Sequence, residues 1–255
     1  MEFISAYHTD VGIKKKTNQD SLFLAEAQTL KGNVFLSVIC DGMGGLSQGE
    51  VASATLAKAF QNWFREELPV LLQTDITPDI VRVSWRELIE RMNAKVLAYG
   101  VAHRVSLGST VVALLLVANW YLIVNIGDSR AYCFVDAPTQ LTKDQTVVQR
   151  EVEQGLLTAE QAEADPRRNI LLQGFGARAT IEPEFVHGLF VPGTLFMLCS
   201  DGFRHRITPS ELWELLNPQI LESEQQMYNN IIYLTEMSKY RYEQDNISVI
   251  TIKAV

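Results

Sequence analysis

Apolar runs along the chain stop abruptly at aspartates. Residues 34–40 are nearly continuously apolar and end at Asp41. A second run, residues 195–199, is separated from Asp201 by one residue, Ser200. Uninterrupted apolar runs of this length predict strands buried on both faces. Other apolar runs predict further strands at residues 3–7, 21–25, 111–117, 120–126, 130–135 and 247–252. Tight turns between the strands of residues 111–135 predict an antiparallel meander.

Helical spacing and capping residues predict four main helices between these strands. Residues 48–68 repeat apolar positions at helical spacing, after a capping box of Ser47 and Glu50 with Leu46 and Val51 as a hydrophobic staple. Three further helices are predicted. One spans residues 77–102, the next begins at Thr208 with Pro209 and Glu211, and the last spans residues 223–240.

Residues 141–174 are polar and only partly helical, with too few apolar side chains for a core of their own. We expect a flap subregion here, at about residues 145–176, lying against a single domain of residues 1–255.

Composition narrows the function classes. The 255 residues carry a formal net charge of -8, which argues against a nucleic-acid or anionic-membrane partner. No apolar run is long enough to span a bilayer, and the N-terminus lacks the pattern of a secretory signal. Cys40, Cys133 and Cys199 lie in apolar runs without paired spacing, as buried thiols do. We therefore expect a cytoplasmic protein without membrane insertion, and a monomer.

Five aspartates stand at ends of predicted strands: Asp20, Asp41, Asp128, Asp201 and Asp245. Each has an ordinary explanation alone, and Asp128 would suit a simple turn. Carboxylates gathered in one cleft repel one another unless cations neutralise them, and oxygen ligands without Cys or His favour magnesium or manganese. Such ions can activate a water for hydrolysis of a phosphate ester. The neighbouring triplet Lys14-Lys15-Lys16 is typical of a solvated loop.

Six motifs in order carry a resemblance that covers almost the whole chain. They are Asn18-Gln19-Asp20, Asp41-Gly42-Met43-Gly44-Gly45, Gly108-Ser109-Thr110, Gly127-Asp128-Ser129-Arg130-Ala131, Ser200-Asp201-Gly202 and Asp245-Asn246-Ile247. The series resembles the bacterial branch of the PP2C-type (PPM) metal-dependent serine/threonine protein phosphatases. The resemblance implies an α+β fold, a four-layer α-β-β-α sandwich of two antiparallel sheets flanked by helices. It also implies phosphoprotein substrates and an opposing serine/threonine kinase.

The same resemblance implies roles for the aspartates. Asp41 would bridge two Mn²⁺ or Mg²⁺ ions, with Asp201 and Asp245 completing one site and the Gly42 carbonyl serving the other. Asp20 would assist that second site through water, and Asp20 and Asp41 would be catalytic as well as ligating. Bacterial members show a third metal position, which Asp128 and Asp201 would match. Ser109 and Thr110 match structural positions.

Two positions depart from the family pattern. Lys15 stands where the family usually carries an arginine that grips the substrate phosphate, and a lysine offers a point charge rather than a bidentate fork. Met43 occupies the position of a histidine proposed as general acid in animal members, and none of the four histidines replaces it at a recognisable spacing.

Two other functions stay open at this point. Lys15 favours a non-catalytic pseudophosphatase that binds phosphoproteins, although the complete aspartate set argues against one. A metal-dependent hydrolase of small phosphoesters would use the same residues.

Overall fold

Two antiparallel sheets of five strands each form the centre of the computed structural model, which describes residues 1–43 and 48–255. The strands are β1 (Phe3–Asp10), β2 (Asp20–Thr29), β3 (Gly32–Asp41), β4 (Val111–Val117), β5 (Trp120–Ile126), β6 (Arg130–Phe134), β7 (Pro138–Gln140), β8 (Glu184–Leu189), β9 (Leu195–Cys199) and β10 (Ile247–Ala254). The helices are α1 (Gly49–Glu66), α2 (Leu68–Leu71), α3 (Pro78–His103), α4 (Val147–Glu153), α5 (Ala159–Ala164), α6 (Asp201–Arg204), α7 (Pro209–Leu216) and α8 (Glu224–Tyr240).

The first sheet has the order β1-β10-β9-β6-β7, and the second has the order β2-β3-β4-β5-β8. The two ends of the chain pair with each other, because Phe3 lies opposite Ala254 in the β1–β10 ladder. In the second sheet, Asp20 lies opposite Asp41 where β2 begins and β3 ends.

Three apolar layers hold these elements together. Phe35 and Ile39 of one sheet pack with Leu198 and Ile250 of the other between the two sheets. Helices α1 and α3 cover the outer face of the second sheet, and α7 and α8 cover that of the first. The predicted four-layer α-β-β-α sandwich is therefore confirmed, and each sheet buries both faces.

Capping residues set several helix ends as expected. The side chains of Thr77, Thr208 and Ser223 accept hydrogen bonds from the first turns of α3, α7 and α8. The predicted cap at Ser47 and staple at Leu46 lie outside the described residues. The residue before α1 is Gln48, which adopts a left-handed φ of 66° and makes no side-chain cap.

The predicted meander is wrong at its last strand. Strands β4 and β5 form a hairpin, but β6 leaves their sheet and pairs with β9 in the other one. The turn at Gly127, with φ of 114°, therefore crosses from sheet to sheet. Strands β7 and β8 were not predicted, since one is three residues long and the other is a partly exposed edge.

The expected flap is fastened at both ends. It carries α4 and α5, and a bridge between Thr146 and Leu171 closes its base. Phe175 at its end is fully buried and forms a further bridge with Ser109.

Candidate active site

One cavity of about 970 Å³ opens at the strand ends of both sheets and collects predicted site residues. Asp41 reaches it from the end of β3, and Asp128 from the crossing between β5 and β6. Asp201 begins α6 directly after β9, and Asp245 comes just before β10. Lys15 from the loop after β1 also lines the cavity. Residues separated by up to 230 positions thus meet at one end of the sandwich.

Asp20 does not line this cavity but lies opposite Asp41 in the β2–β3 ladder. Its Oδ2 accepts a hydrogen bond of 2.6 Å from the Ser248 hydroxyl on β10, which ties the second sheet to the first. The backbone continues the pairing past the strand ends, because the Gly42 amide donates to the Gln19 carbonyl at 3.1 Å. Two carboxylates are thereby held opposite each other.

Thr110 fixes Asp41 to the sheet crossing. Its amide donates to the Asp41 carbonyl at 2.8 Å, and its Oγ1 accepts from the Asp41 amide at 3.2 Å. The same Oγ1 lies 2.9 Å from the Ser129 hydroxyl, next to Asp128. This hydrogen-bond chain agrees with the structural role expected of Thr110.

Crowding perturbs three of the carboxyl groups. Burial raises the pKa of Asp20 to about 7; the Ser248 hydrogen bond opposes the shift, while Asp201 and Asp245 add to it. Burial and the nearby Asp201 raise the pKa of Asp128 to about 8, although Arg204 opposes the shift. Asp41 keeps some surface open to the cavity, but burial and repulsion from Asp20 and the other aspartates raise its pKa well above the ordinary value.

The donor set fits divalent cations. Asp20 Oδ1 and Asp201 Oδ1 are buried and have no hydrogen-bond partner anywhere in residues 1–43 and 48–255. Buried carboxylate oxygens without partners, next to carboxyl groups that repel them, require positive charge. No three His, Cys, Asp or Glu side chains in the described part of the chain are grouped closely enough to hold an ion by themselves. Magnesium and manganese keep several waters, so aspartates that do not all reach an ion directly can still hold it in part through water.

Lys15 already supplies one positive charge. Its Nζ lies 2.8 Å from Asp245 Oδ1. Burial alone would lower the pKa of Lys15, but the hydrogen bond to Asp245 and the charges of Asp41 and Asp201 raise it. The lysine is therefore charged and directed at a predicted metal ligand.

Met43 lines the cavity at the position where animal members of the family carry a histidine. The Met43 side chain packs beside Gly108 and Gly174, where a Cβ on either glycine would overlap it. His205 is the histidine beside the candidate site, with Nε2 3.7 Å from Asp201 Oδ2 and Nδ1 3.6 Å from Glu243 Oε2. Its imidazole thus connects α6 to the segment before β10, a structural role.

A largely buried ion-pair network next to Asp128 was not predicted. Asp144 accepts two hydrogen bonds from Arg130, at 2.7 and 2.8 Å, and one from Arg204 at 3.0 Å. Arg204 also donates to the Asp128 carbonyl at 3.3 Å. Arg130 belongs to a motif recognised in the sequence, but nothing there indicates its partner.

The sequence profile of the family described as Protein phosphatase 2C matches residues 12–233, which is most of the chain. The chain belongs to the protein phosphatase 2C family. It is 28% identical over 251 residues to the serine/threonine phosphatase stp of Listeria monocytogenes, covering 97% of this chain and 94% of that protein. It is 30% identical over 216 residues to protein phosphatase PhpP of Streptococcus pneumoniae, covering 83% of each.

Solved structures of the family share the whole fold. The serine/threonine phosphatase Stp1 of Staphylococcus aureus has a TM-score of 0.87 at 26% identity, over 100% of this chain and 96% of that one. The catalytic domain of the serine/threonine protein phosphatase PstP, in complex with two manganese ions, has a TM-score of 0.78 at 27% identity, over 98% of this chain and 97% of that one.

These matches confirm the predicted family and the predicted enzyme class, a protein-serine/threonine phosphatase. Among the helices of the described residues, none is both long and apolar enough to cross a membrane. The cytoplasmic location stays a prediction.

Proposed function

We propose that this protein hydrolyses phosphoserine and phosphothreonine in protein substrates at a centre of two Mn²⁺ or Mg²⁺ ions, with a third position at Asp128. Asp41, Asp128, Asp201 and Asp245 converge on one cavity, and a buried carboxylate oxygen of Asp201 has no hydrogen-bond partner among the described residues; this observation carries the proposal. The PstP structure with two manganese ions supports a metal-dependent reaction.

The family pattern, carried over by position, would give each residue a role. Asp41 would bridge two ions, with Asp201 and Asp245 on one and the Gly42 carbonyl on the other, and Asp20 would act through water. When bound, the ions supply Lewis acidity, lowering the pKa of a water and offsetting charge on the phosphoryl oxygens. Thr110 and Ser248 hold Asp41 and Asp20 in register. Lys15 would attract the substrate phosphate by charge.

A manganese-dependence assay tests this function against both alternatives. Purified protein is given an aryl phosphate and then a phosphothreonine peptide, with manganese or with a chelator. We expect turnover of both substrates with manganese only, and loss of turnover in Asp41→Ala and Asp245→Ala. Asp75→Ala is the matched control, because Asp75 is fully exposed and, among the described residues, pairs only with Lys31.

The other outcomes identify the alternatives. No turnover of either substrate, with retained phosphopeptide binding, would establish the pseudophosphatase. Turnover of the aryl phosphate alone would establish a hydrolase of small phosphoesters. The opposing kinase and the monomeric state stay predictions.

A further inference from the structure

A second groove, of about 640 Å³, adjoins the candidate active site. Lys15, Asn169 and Asp245 line both cavities, so the two are continuous. The groove lies between the loop after β1, the segment that follows α5, and the residues just before β10. Five cationic side chains line it: Lys14, Lys15, Lys16, Arg168 and Arg206.

The groove is strongly positive although the chain as a whole is negative. Its five cations face two carboxylates, Glu243 and Asp245, an excess of three positive charges in a chain of net charge -8. Both carboxylates are already engaged, since Lys15 holds Asp245 at 2.8 Å and Arg206 Nε lies 3.8 Å from Glu243 Oε2. A concave surface lined by one sign of charge concentrates its potential and attracts the opposite charge.

Two of the cations are free to bind a ligand. Neither Lys16 nor Arg168 forms an ion pair with an acidic side chain of the described residues. Within the part of the chain that the structure describes, Lys14 donates only to the neutral Gln244, at 2.8 Å. Side-chain hydrogen bonds to such neutral groups leave the full charge available to an incoming anion.

The segments that carry these cations are held in place. Asn246 donates from Nδ2 to the carbonyls of Val11 and Thr17, at 3.0 and 3.2 Å, and so holds both ends of the loop that carries Lys14, Lys15 and Lys16. Beside Arg168, Arg167 makes two hydrogen bonds to Glu151, at 3.0 and 2.8 Å. The backbone segments that carry the positive groups are therefore held in place, which lowers the entropic cost of binding.

We propose that this groove binds anionic residues, either acidic side chains or a second phosphate, that flank the phosphorylated residue of the substrate. The proposal rests on the proposed function, since it places the scissile phosphate in the aspartate cavity and the neighbouring residues in the groove. The substrates are then phosphoproteins whose phosphorylation sites lie in acidic sequence. Exposed ion pairs are individually weak, so two or three of them give a preference of about 3- to 10-fold.

Matched phosphothreonine peptides test the proposal. They differ only in flanking glutamates, glutamines or lysines, with one further peptide that carries a second phosphoserine. We expect kcat/KM to be about 3- to 10-fold higher for the glutamate and doubly phosphorylated peptides than for the glutamine peptide, and the difference to shrink as salt screens the charges. The ratio of acidic to neutral peptide should fall to about one in the double variant Lys16→Ala/Arg168→Ala, which removes two cations that form no ion pair among the described residues. The control variant Lys58→Ala/Arg82→Ala removes the same charge far from the groove and should keep the ratio.

A binding experiment tests the groove independently of catalysis. Labelled peptides with unphosphorylated threonine are titrated by fluorescence anisotropy, and the glutamate peptide should bind more tightly than the glutamine peptide. Turnover without any acidic preference, or a preference that survives in the double variant, would overturn the groove and keep the phosphatase. If the unmodified protein turns over no phosphopeptide but still binds the glutamate peptide more tightly, the proposed phosphatase function is refuted and the anion-binding groove stands.

Discussion

Asp144→Asn removes the charge at the centre of the largely buried network next to Asp128. The Asp144 side chain is 9% exposed, and its partners Arg130 and Arg204 are 21% and 13% exposed. The substitution keeps the shape of the side chain but leaves two largely buried guanidinium groups without a counter-charge.

The expected loss of stability is about 3 kcal/mol, the low end of the range for breaking a buried ion pair, because the amide oxygen can still accept one hydrogen bond. For a domain of this size, that loss lowers the melting temperature by about 6–12 °C. Burial alone would raise the pKa of Asp144, but Arg204 and Arg130 outweigh it and hold this pKa below its ordinary value. A carboxyl whose folded pKa is depressed stabilises the protein above its unfolded pKa, near 4, and loses that contribution as pH falls through the folded pKa.

Urea denaturation of the metal-free protein at pH 7 and at a series of lower pH values measures both effects. Asp79→Asn is the matched control, because Asp79 is 75% exposed and pairs with Arg82 three residues away. We expect the control to cost less than about 0.5 kcal/mol. Equal losses in the two variants, or an Asp144→Asn penalty that does not shrink below about pH 4, would refute the reasoning.

Three further predictions concern the aspartate cavity. Asp41→Asn relieves repulsion between carboxylates, so it should raise the melting temperature of metal-free protein and abolish the manganese-induced rise. Scanning fluorimetry with chelator or manganese measures both effects, and a manganese-induced rise that persists in the variant would show that Asp41 binds no ion. Lys15→Ala frees Asp245 from a competing cation, so calorimetry should show manganese binding about 2- to 5-fold tighter, with a higher KM for phosphopeptide; weaker manganese binding would contradict the assigned competition. Gly12 has φ of 75°, and a Cβ there would lie 2.3 Å from the Asp245 carbonyl oxygen. Gly12→Ala should therefore lower the free energy of unfolding by about 2–4 kcal/mol, whereas Gly155→Ala, with nothing nearby, tests the φ strain alone.

Buried strands were predictable because their own composition specifies them. The predicted limits of β4, β5 and β9 match the structure, since each is an apolar run bounded by polar or turn residues. Aspartates at their ends were conspicuous for the same reason, as a charge next to a buried run needs a partner. The sequence therefore pointed to the four aspartates that line the cavity, Asp41, Asp128, Asp201 and Asp245.

Pairings between distant segments were not predictable in the same way. The turn at Gly127 is as short as a hairpin, so β6 was expected beside β5; only its ladder with β9 places it in the other sheet. The ion pairs of Asp144 join residues 14 and 60 positions away, and no local pattern specifies them. Strand β8 was not predicted, because His187 and Gly188 interrupt the apolar pattern of a short edge strand that is only partly buried.

The candidate metal centre depends on the packing of the two sheets as much as on the aspartates. Asp20 and Asp41 come from one sheet, whereas Asp201 and Asp245 come from the ends of the other. Their spacing is therefore set by the apolar layer between the sheets, and by the contacts of Thr110 with Ser129 and of Ser248 with Asp20 that join them. Because interiors are close-packed, a shift of one sheet against the other moves one pair of carboxylates relative to the other pair. Substitutions in that layer should accordingly weaken metal binding without touching a ligand.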